Sequence, residues 1–320
     1  MPSRRDVLLG LAAAFAAPRP TAARPVRVHR IAVYLGAQVI DGLVEALRER
    51  GWIEGVNLAV DRQTVEGSET RLGEHLAKSP PDLIVAGAPH RIRAAMRATT
   101  TLPIMGIDLE ADPVASGFVK TLARPGGNVT GIWMDLPELT GKQIQFLREV
   151  LPSLNRLGVV WDDQIGHLQL AELQAVSRRV GITLIPVALR QTAEIDGVLK
   201  RLVAERPQAL ILLTTPVIFL SLPRIAEVAV QSRLPSISPF SPYPSAGGLM
   251  AYGPDFPAMW RQLAGYVDRV LRGARAGDLP VERPSKFSLI VNQKTGEGHR
   301  THAPTVAGPQ RRRAHQVTAS

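Results

Sequence analysis

Residues 30–62, RIAVYLGAQVIDGLVEALRERGWIEGVNLAVDR, predict a strand, a helix and a second strand in direct succession. Arg30–Leu35 is a short apolar run of the kind that forms a buried strand, and Asn57–Arg62 is the next candidate strand. Between them the chain follows the helical period from Gln38 to Arg50, and Gly51 ends the helix. The apolar face of this helix consists of Val39, Ile40, Leu43, Val44 and Leu47. A helix between two strands forms a βαβ unit, so we expect the strands to be parallel.

The same alternation continues along the chain. Further strands are predicted at Asp82–Ala86, Pro103–Ile107 and Val129–Trp133, which complete a first set. A helix from Thr140 to Leu151, ended by Pro152, starts a second set. Its strands are predicted at Leu157–Asp162, Ile182–Leu189, Ala209–Thr214 and Ser236–Pro239. The two sets predict an α/β protein of two Rossmann-like lobes with parallel sheets. Right-handed crossovers place the loops that follow the strands on one rim, so we expect a ligand cleft between the lobes.

The composition excludes several classes of protein. The chain has 320 residues, 45% of them apolar, and no cysteine. The lack of cysteine excludes a disulfide scaffold, a zinc–thiolate site, an iron–sulfur cluster, a thiol nucleophile and a lipid-modified cysteine. The formal net charge is +10, and apart from the basic ends it is spread along the chain without clusters. No helix interleaves basic with aromatic residues, so we expect no nucleic-acid partner.

The first 23 residues have the order of an export signal. The segment Ser3-Arg4-Arg5-Asp6-Val7-Leu8-Leu9 is basic at its start, an apolar stretch runs on to Ala17, and small residues precede Arg24. The arginine pair resembles a twin-arginine signal, and a general secretory signal is the alternative. Either signal predicts cleavage near Ala23 and a periplasmic location.

The motifs of common enzymes are missing from the sequence. No Gly-x-Gly-x-x-Gly follows the first strand, and neither Gly-x-x-x-x-Gly-Lys-Ser/Thr nor Gly-x-Ser-x-Gly occurs. The seven histidines form no His-x-x-x-His pair. We therefore expect no catalytic residue, no metal and no cofactor. A secreted α/β enzyme that acts on a small molecule is the alternative.

Several segments resemble one family of solute receptors. Gly51–Leu58 resembles its Gly-aromatic-x-Glu-Gly-x-Asn turn. Leu122–Gly131 also matches, and its part Arg124–Gly131, RPGGNVTG, is the most specific. The other matching segments are Thr99–Ile104, Asp112–Val114, Gly247–Pro254 and Lys286–Asn292. From about Arg30 to Lys294 the chain is similar to the ABC-transporter substrate-binding family of the tryptophan/tyrosine type.

The resemblance implies a periplasmic-binding-protein type I fold, in which the chain crosses three times between the lobes and ligand closes them by a hinge motion. It implies a monomeric receptor with two partners, a small amino acid-like or aromatic solute and the membrane permease of an ABC importer. A ligand-sensing module that does not serve a transporter is a further alternative. The expected division is a signal peptide over 1–23, a first lobe over 24–135 with a return segment over 243–277, a second lobe over 136–242 with 278–295, and a basic tail over 296–320.

We call the loops that follow the strands of the first set the first rim, and those that follow the strands of the second set the second rim. Backbone groups at the first rim are candidates to bind a carboxylate. Gly36 and Ala37 follow the first strand, and Gly87 and Ala88 precede a helix that includes His90. The N–H groups at a helix start suit an anion, so these five residues are candidate ligand contacts.

Side chains at the strand ends are the other candidates. Asp108 and Asp112 are candidates to hold an ammonium group, with a turn or a helix cap as the alternative role. Trp133, Trp161 and Phe240 are candidates to stack on a planar ligand, with core packing as the alternative. The candidates that remain, at the second rim, are Asp162 and Thr214.

The sequence departs from the family pattern in two places. The family has a longer serine-rich loop after the first strand, whereas Gly36 here leads almost directly into the helix at Gln38. After Lys294 the family continues as a helix, whereas residues 296–320 are basic and lack a helical period. Our hypothesis for this tail is a shift of reading frame near residue 296, because a one-base shift of compatible codons restores the family's ending. A genuine basic tail that binds acidic surfaces is the alternative.

Overall fold

A computed structural model describes residues 27–35, 37–63, 69–108, 112–133, 136–164 and 166–298. Within these ranges the chain builds two β-sheets, and apolar side chains from helices pack on both faces of each sheet. We call each sheet with its helices a lobe. No helix in these ranges is long and apolar enough to cross a membrane.

Five parallel strands form the sheet of the first lobe. They are β1 (His29–Tyr34), β2 (Leu58–Arg62), β3 (Leu83–Gly87), β4 (Ile104–Asp108) and β5 (Val129–Trp133), in the order β2-β1-β3-β4-β5. The helices between them are α1 (Ala37–Arg48), α2 (Glu69–Lys78) and α3 (Pro89–Ala98). Every residue of β3, β4 and β5 is buried, as expected of parallel strands that are covered on both faces.

Six strands form the sheet of the second lobe. They are β6 (Arg156–Trp161), β7 (Thr183–Ala188), β8 (Ala209–Leu212), β9 (Ser236–Ser238), β10 (Met250–Pro254) and β11 (Phe287–Val291), in the order β11-β10-β9-β8-β6-β7. All neighbouring strands are parallel except β10 and β11. The helices that follow β5 along the chain are α4 (Leu136–Val150), α5 (His167–Arg179), α6 (Ile195–Ala204), α7 (Pro216–Leu220), α8 (Leu222–Gln231), α9 (Phe256–Leu271) and α10 (Gln293–Gly298).

The predicted fold class, two α/β lobes with largely parallel sheets, is confirmed. One expected segment is divided, because within residues 243–277 the strand β10 pairs with β9 and β11 of the second sheet. The part that packs on the first sheet is α9 with the residues that follow it, where Met259, Leu263 and Ala276 join a core that also contains Leu43 of α1. The backbone groups of a buried strand need partners, and those of β10 find them on β9 and β11. The hypothesis of a shifted reading frame concerns residues 296–320, and most of these lie outside the described ranges.

The turn Gly51–Asn57 is closed by its own asparagine and fastens α9 to the first lobe. Asn57 Oδ1 accepts the N–H of Ile53 at 2.7 Å, and Nδ2 donates to the carbonyl of Gly51 at 2.9 Å. Gly51 adopts a φ of +86°, which a residue without Cβ reaches at no steric cost. The turn presents Trp52, whose indole N–H donates to Asp268 of α9 at 2.9 Å.

Asp268 is held as a carboxylate. Burial alone raises its pKa, but hydrogen bonds from Arg272, at 2.7 Å, and from Trp52 outweigh burial, so the pKa lies below its ordinary value. A carboxylate with a lowered pKa stabilises the folded state fully above its unfolded pKa, about 3.9, and this contribution is lost as the pH falls through the folded pKa.

We expect Asp268→Asn to lower the free energy of unfolding by about 1–3 kcal/mol at pH 7, because charged hydrogen bonds to Arg272 and Trp52 are lost. At pH 3 the difference from the wild type should be smaller, since the carboxyl group of the unfolded chain, with a pKa of about 3.9, is then mostly protonated. Urea denaturation at both pH values measures this. Asp278→Asn is the control, because Asp278 is exposed and lies 4.0 Å from Arg275. Equal losses for the two variants at pH 7 would contradict the prediction.

The backbone of Ala88 is strained. Its φ of 65° and ψ of 151° lie in a region that essentially only glycine occupies. The other two described residues with positive φ that are not glycine, Arg206 and Arg233, follow helix ends. The N–H of Ala88 donates to the carbonyl of Ile107 at 3.0 Å, and its carbonyl accepts the N–H of Ile92 at 3.2 Å. These bonds hold the strained residue between β3 and α3.

Ala88→Gly is expected to raise the free energy of unfolding by about 1 kcal/mol. The substitution releases strain of about 1–3 kcal/mol and costs about 0.5–1 kcal/mol because glycine is freer in the unfolded chain. The expected rise in Tm is about 2–4 °C, measured by calorimetry. The control Ala95→Gly, in the buried middle of α3, should lower the Tm. A Tm of Ala88→Gly at or below that of the wild type would show that the site is unstrained.

Candidate functional site

The carboxyl ends of the two sheets meet at three chain crossings. The first leaves the end of β5 for α4, the second leaves the end of β10 for α9, and the third runs from Glu282 to the start of β11. Glu282 lies beside the end of β5, because its carbonyl accepts the N–H of Trp133 at 3.0 Å and its N–H donates to Gly131 at 3.1 Å. Phe287, the first residue of β11, pairs with Pro254, the last of β10. Short crossings that all attach to these edges bring the two rims together, and ligands of α/β sheets bind at such an edge.

Three candidate residues lie side by side on the first rim. Asp108 and Trp133 are paired residues at the ends of β4 and β5. Ala88 directly follows β3, next to Asp108, since its N–H donates to Ile107. We call Ala88, Asp108 and Trp133 the first-rim row. The carboxylate of Asp108 is completely buried there.

The ring of Trp133 packs into the lobe. The residue is only 2% exposed, and a Cβ at Gly106 would lie 2.5 Å from its Cη2 atom, so the indole lies directly over Gly106. On its other side it contacts Phe118, with ring centroids 6.4 Å apart. This is the core packing that the sequence left open as the alternative to stacking on a ligand.

The amino end of α3 adjoins the first-rim row. Pro89 is its first residue, no side chain caps it, and its first turn holds no acidic residue. An α-helix leaves its first N–H groups without partners inside the helix, and its dipole favours an anion there. Desolvation and the charge of Arg91 lower the pKa of His90 below its ordinary value.

The second rim carries Trp161 and Asp162 at the end of β6. The ring of Trp161 is half-buried, and His167 of α5 packs edge-on against it at 5.3 Å. Asp162 is 7% exposed, and its Oδ1 accepts the N–H of Gln164 at 2.9 Å. The neighbouring Asp163 faces elsewhere and binds Arg190 of the loop after β7 through two bonds of 2.6 and 2.8 Å.

The loop after β8 is held by a side chain that the sequence analysis missed. Gln169 of α5 is buried, its Nε2 donates to the carbonyl of Thr214 at 3.0 Å, and its Oε1 accepts the N–H of Thr214 at 2.7 Å. Thr215 caps the start of α7 by accepting the N–H of Ile218. The available signal was a glutamine on the apolar stripe of α5, one turn before Leu173.

Phe240 lies within the core and not in an open position. It is 6% exposed and contacts Phe219 of α7 edge-on, with centroids 5.1 Å apart. Its other contact is Phe256 of α9, nearly parallel at 6.4 Å. Aromatic side chains therefore surround Phe240. This is the core packing that the sequence left open as the alternative to stacking on a ligand.

The remaining candidates contribute backbone positions or turns. Asp112 is exposed, and its Oδ1 accepts two N–H groups of its own turn, from Val114 and the next residue, at 2.8 and 3.0 Å. Gly87 ends β3, where a Cβ would lie 2.5 Å from Leu35. Ala37 is the first residue of α1. Gly36 lies outside the described residues.

Each rim contains one buried carboxylate. Among the residues whose burial the structure describes, the buried acidic side chains are Asp108, at 0% exposure, and Asp162, at 7%. Both lie where strands end at the meeting of the lobes, and charges that little water screens attract an opposite charge more strongly than charges in water do. The arrangement suits a bound group with positive charge. The described ranges contain no cluster of three or more histidine or acidic side chains that could hold a metal ion.

Known proteins share this sequence pattern and this fold. Residues 35–300 match the family model described as ABC transporter substrate binding protein. The tyrosine-binding protein of Clostridioides difficile (strain R20291) is 25% identical over 259 residues, which cover 79% of this chain and 74% of that protein.

Two solved structures show the fold. A conserved domain protein from Vibrio cholerae has a TM-score of 0.76 at 24% identity, and an ABC domain from Streptococcus pneumoniae in complex with L-Trp has 0.75 at 21%. Each alignment covers 87% of this chain and 96% of the other. The two lobes thus form a periplasmic-binding-protein type I fold. Since the family model matches most of its length, the chain belongs to the ABC transporter substrate-binding protein family.

Proposed function

We propose that this protein is the periplasmic receptor of an ABC importer and that it binds an aromatic amino acid between its rims. The observation that carries the proposal is the pair of buried carboxylates, Asp108 on the first rim and Asp162 on the second. An ammonium group bound between the rims is attracted to both carboxylates. Such a ligand favours the arrangement in which the lobes are closed on it.

The amino end of α3 supports a carboxylate on the same ligand. It lies beside Ala88 of the first-rim row and has neither a side-chain cap nor an acidic residue in its first turn. Backbone N–H groups and the helix dipole then supply the attraction. A ligand with an ammonium and a carboxylate group close together is an amino acid.

Trp161 supports an aromatic side chain on that amino acid. Its ring is half-buried at the second rim, one residue before Asp162, whereas Trp133 and Phe240 are enclosed in the cores. A flat ring gains both apolar burial and stacking against an indole. Tyrosine in the name of one relative and L-Trp in one related structure point to the same class of solute.

The two-lobed fold and the family support delivery of the solute to a transporter. The receptor binds the solute in the periplasm without altering it, closes as a monomer by a hinge motion, and in this form docks on a membrane permease. The export signal proposed for residues 1–23 lies outside the described residues. A solute receptor of this kind needs no cofactor and no nucleic acid.

We expect tyrosine or tryptophan to raise the Tm of the purified protein. At a ligand concentration 100 times the Kd the gain is about 2.7 kcal/mol, which corresponds to roughly 5–10 °C. Tyramine, which lacks the carboxylate, and 3-(4-hydroxyphenyl)propionate, which lacks the ammonium group, should both shift the Tm less. A full panel of amino acids without any shift would contradict the proposal.

Asp108→Asn is expected to weaken binding of the amino acid at least tenfold, because a charged hydrogen bond contributes about 1.5–3 kcal/mol. The Kd is measured by isothermal titration calorimetry. Asp112→Asn is the matched control and should leave the Kd unchanged, since that carboxylate serves its own exposed turn. Equal Kd values for both variants and the wild type would remove Asp108 from the site.

A further inference from the structure

Hydrogen bonds restrict where the second crossing can bend. Up to Pro254 the chain belongs to the second sheet, because this residue pairs with Phe287 of β11. From Phe256 onward it belongs to α9, whose first turn is fixed by Asp255: Oδ1 accepts the N–H of Ala258 at 3.0 Å. Asp255 is therefore the single residue between the two lobes on this crossing.

The third crossing is restricted in the same way by Gln262 of α9. Its Nε2 donates to Oε2 of Glu282 at 2.7 Å and to the carbonyl of Arg283 at 3.0 Å, and its Oε1 accepts the N–H of Ser285 at 3.0 Å. This amide, together with the two main-chain bonds between Glu282 and β5, thus holds residues 282–285 on the first lobe. Since β11 begins at residue 287, only Lys286 remains between the lobes.

The two intervening residues are bound to each other. The N–H of Asp255 donates to the carbonyl of Lys286 at 2.9 Å, and Nζ of Lys286 lies 2.8 Å from Oδ2 of Asp255. An ion pair between residues 282–285 and the second lobe joins Arg283 and Glu138, which are 3.9 Å apart and both exposed, and such pairs contribute little. Asp255 and Lys286 consequently form one connected unit where two crossings lie side by side.

We propose that Asp255 and Lys286 are the pivot of lobe closure, and that Gln262 is the positioning residue that confines bending to them. Closure then changes the backbone dihedrals of these two residues while the bonds between them persist. The inference rests on the proposed function insofar as closure serves ligand binding. Beyond that function, the inference assigns the axis of closure to Asp255 and Lys286 and names Gln262 as the side chain that defines this axis.

The residue after the pivot has a contact that suits rotation. Phe256 packs on Phe240 of the second lobe at 6.4 Å and on Trp260 of the first lobe at 6.1 Å. It is packed against the core of each lobe. Apolar contacts have no preferred direction, so these rings can slide during a small rotation without the loss of a hydrogen bond.

The test is the distribution of distances between the lobes in the ligand-free protein. Because the chain has no cysteine, Glu49→Cys on the first lobe and Lys200→Cys on the second provide two unique sites for spin labels. Gln262→Met keeps the length of the side chain and removes its bonds to residues 282–285. We expect it to broaden the distance distribution measured by pulsed electron paramagnetic resonance.

Lys286→Met and Lys286→Arg form a matched pair. The methionine variant should broaden the distribution, because the ion pair to Asp255 is lost, and the arginine variant should restore the wild-type width. Asp196→Asn, which breaks the exposed ion pair with Arg224 at 2.6 Å, is the control for loss of charge away from the crossings. Circular dichroism melts show that each variant is folded.

Affinity supplies a second readout. A wider range of open arrangements raises the cost of closure, so Gln262→Met and Lys286→Met should raise the Kd about two- to fivefold without a change in the order of preferred ligands. Folded variants with wild-type distance distributions would overturn the pivot. Failure to find any ligand would instead count against the proposed function, since the distance measurement needs none.

Discussion

Parallel strand pairing is the constraint on which the rest of this structure depends. A parallel sheet sends the carboxyl ends of all its strands to one edge, so the following loops, the helix starts and the chain crossings collect there. The antiparallel pairing of β10 with β11 has the same effect. Because β11 runs in the opposite direction, its first residue lies at the rim, and the third crossing returns to the edge that the other two use.

Amide side chains give the rims their shape. Gln169 binds both main-chain groups of Thr214, and Gln262 binds three groups on residues 282–285. Each glutamine fixes a loop that lies outside the helices and strands. A side chain with both a donor and an acceptor can satisfy main-chain groups of either kind, which an apolar residue of the same size cannot do.

The strands and the division into two lobes were predictable, because buried parallel strands are continuous apolar runs that alternate with helical patterns. The placement of β10 was not, since an apolar run such as Met250–Pro254 does not show which sheet it joins. Asp108 was found because a polar residue that ends an apolar strand stands out. The burial of Trp133 over Gly106 depends on a contact between two strands. The contacts of Gln262 with residues 282–285 depend on a loop that returns to α9. A pattern of neighbouring residues in the sequence predicts neither of these contacts.

The position of α9 has a consequence for the order of folding. The hydrogen bond from Trp52 to Asp268 joins residues 216 positions apart, and the core of the first lobe includes α9 side chains such as Leu263. During synthesis the second lobe can form its core while the first still lacks a helix over one face. The first lobe is therefore completed only after most of the second lobe has been synthesised, and until the ribosome has released α9 the uncovered apolar face of the first sheet is available to chaperones.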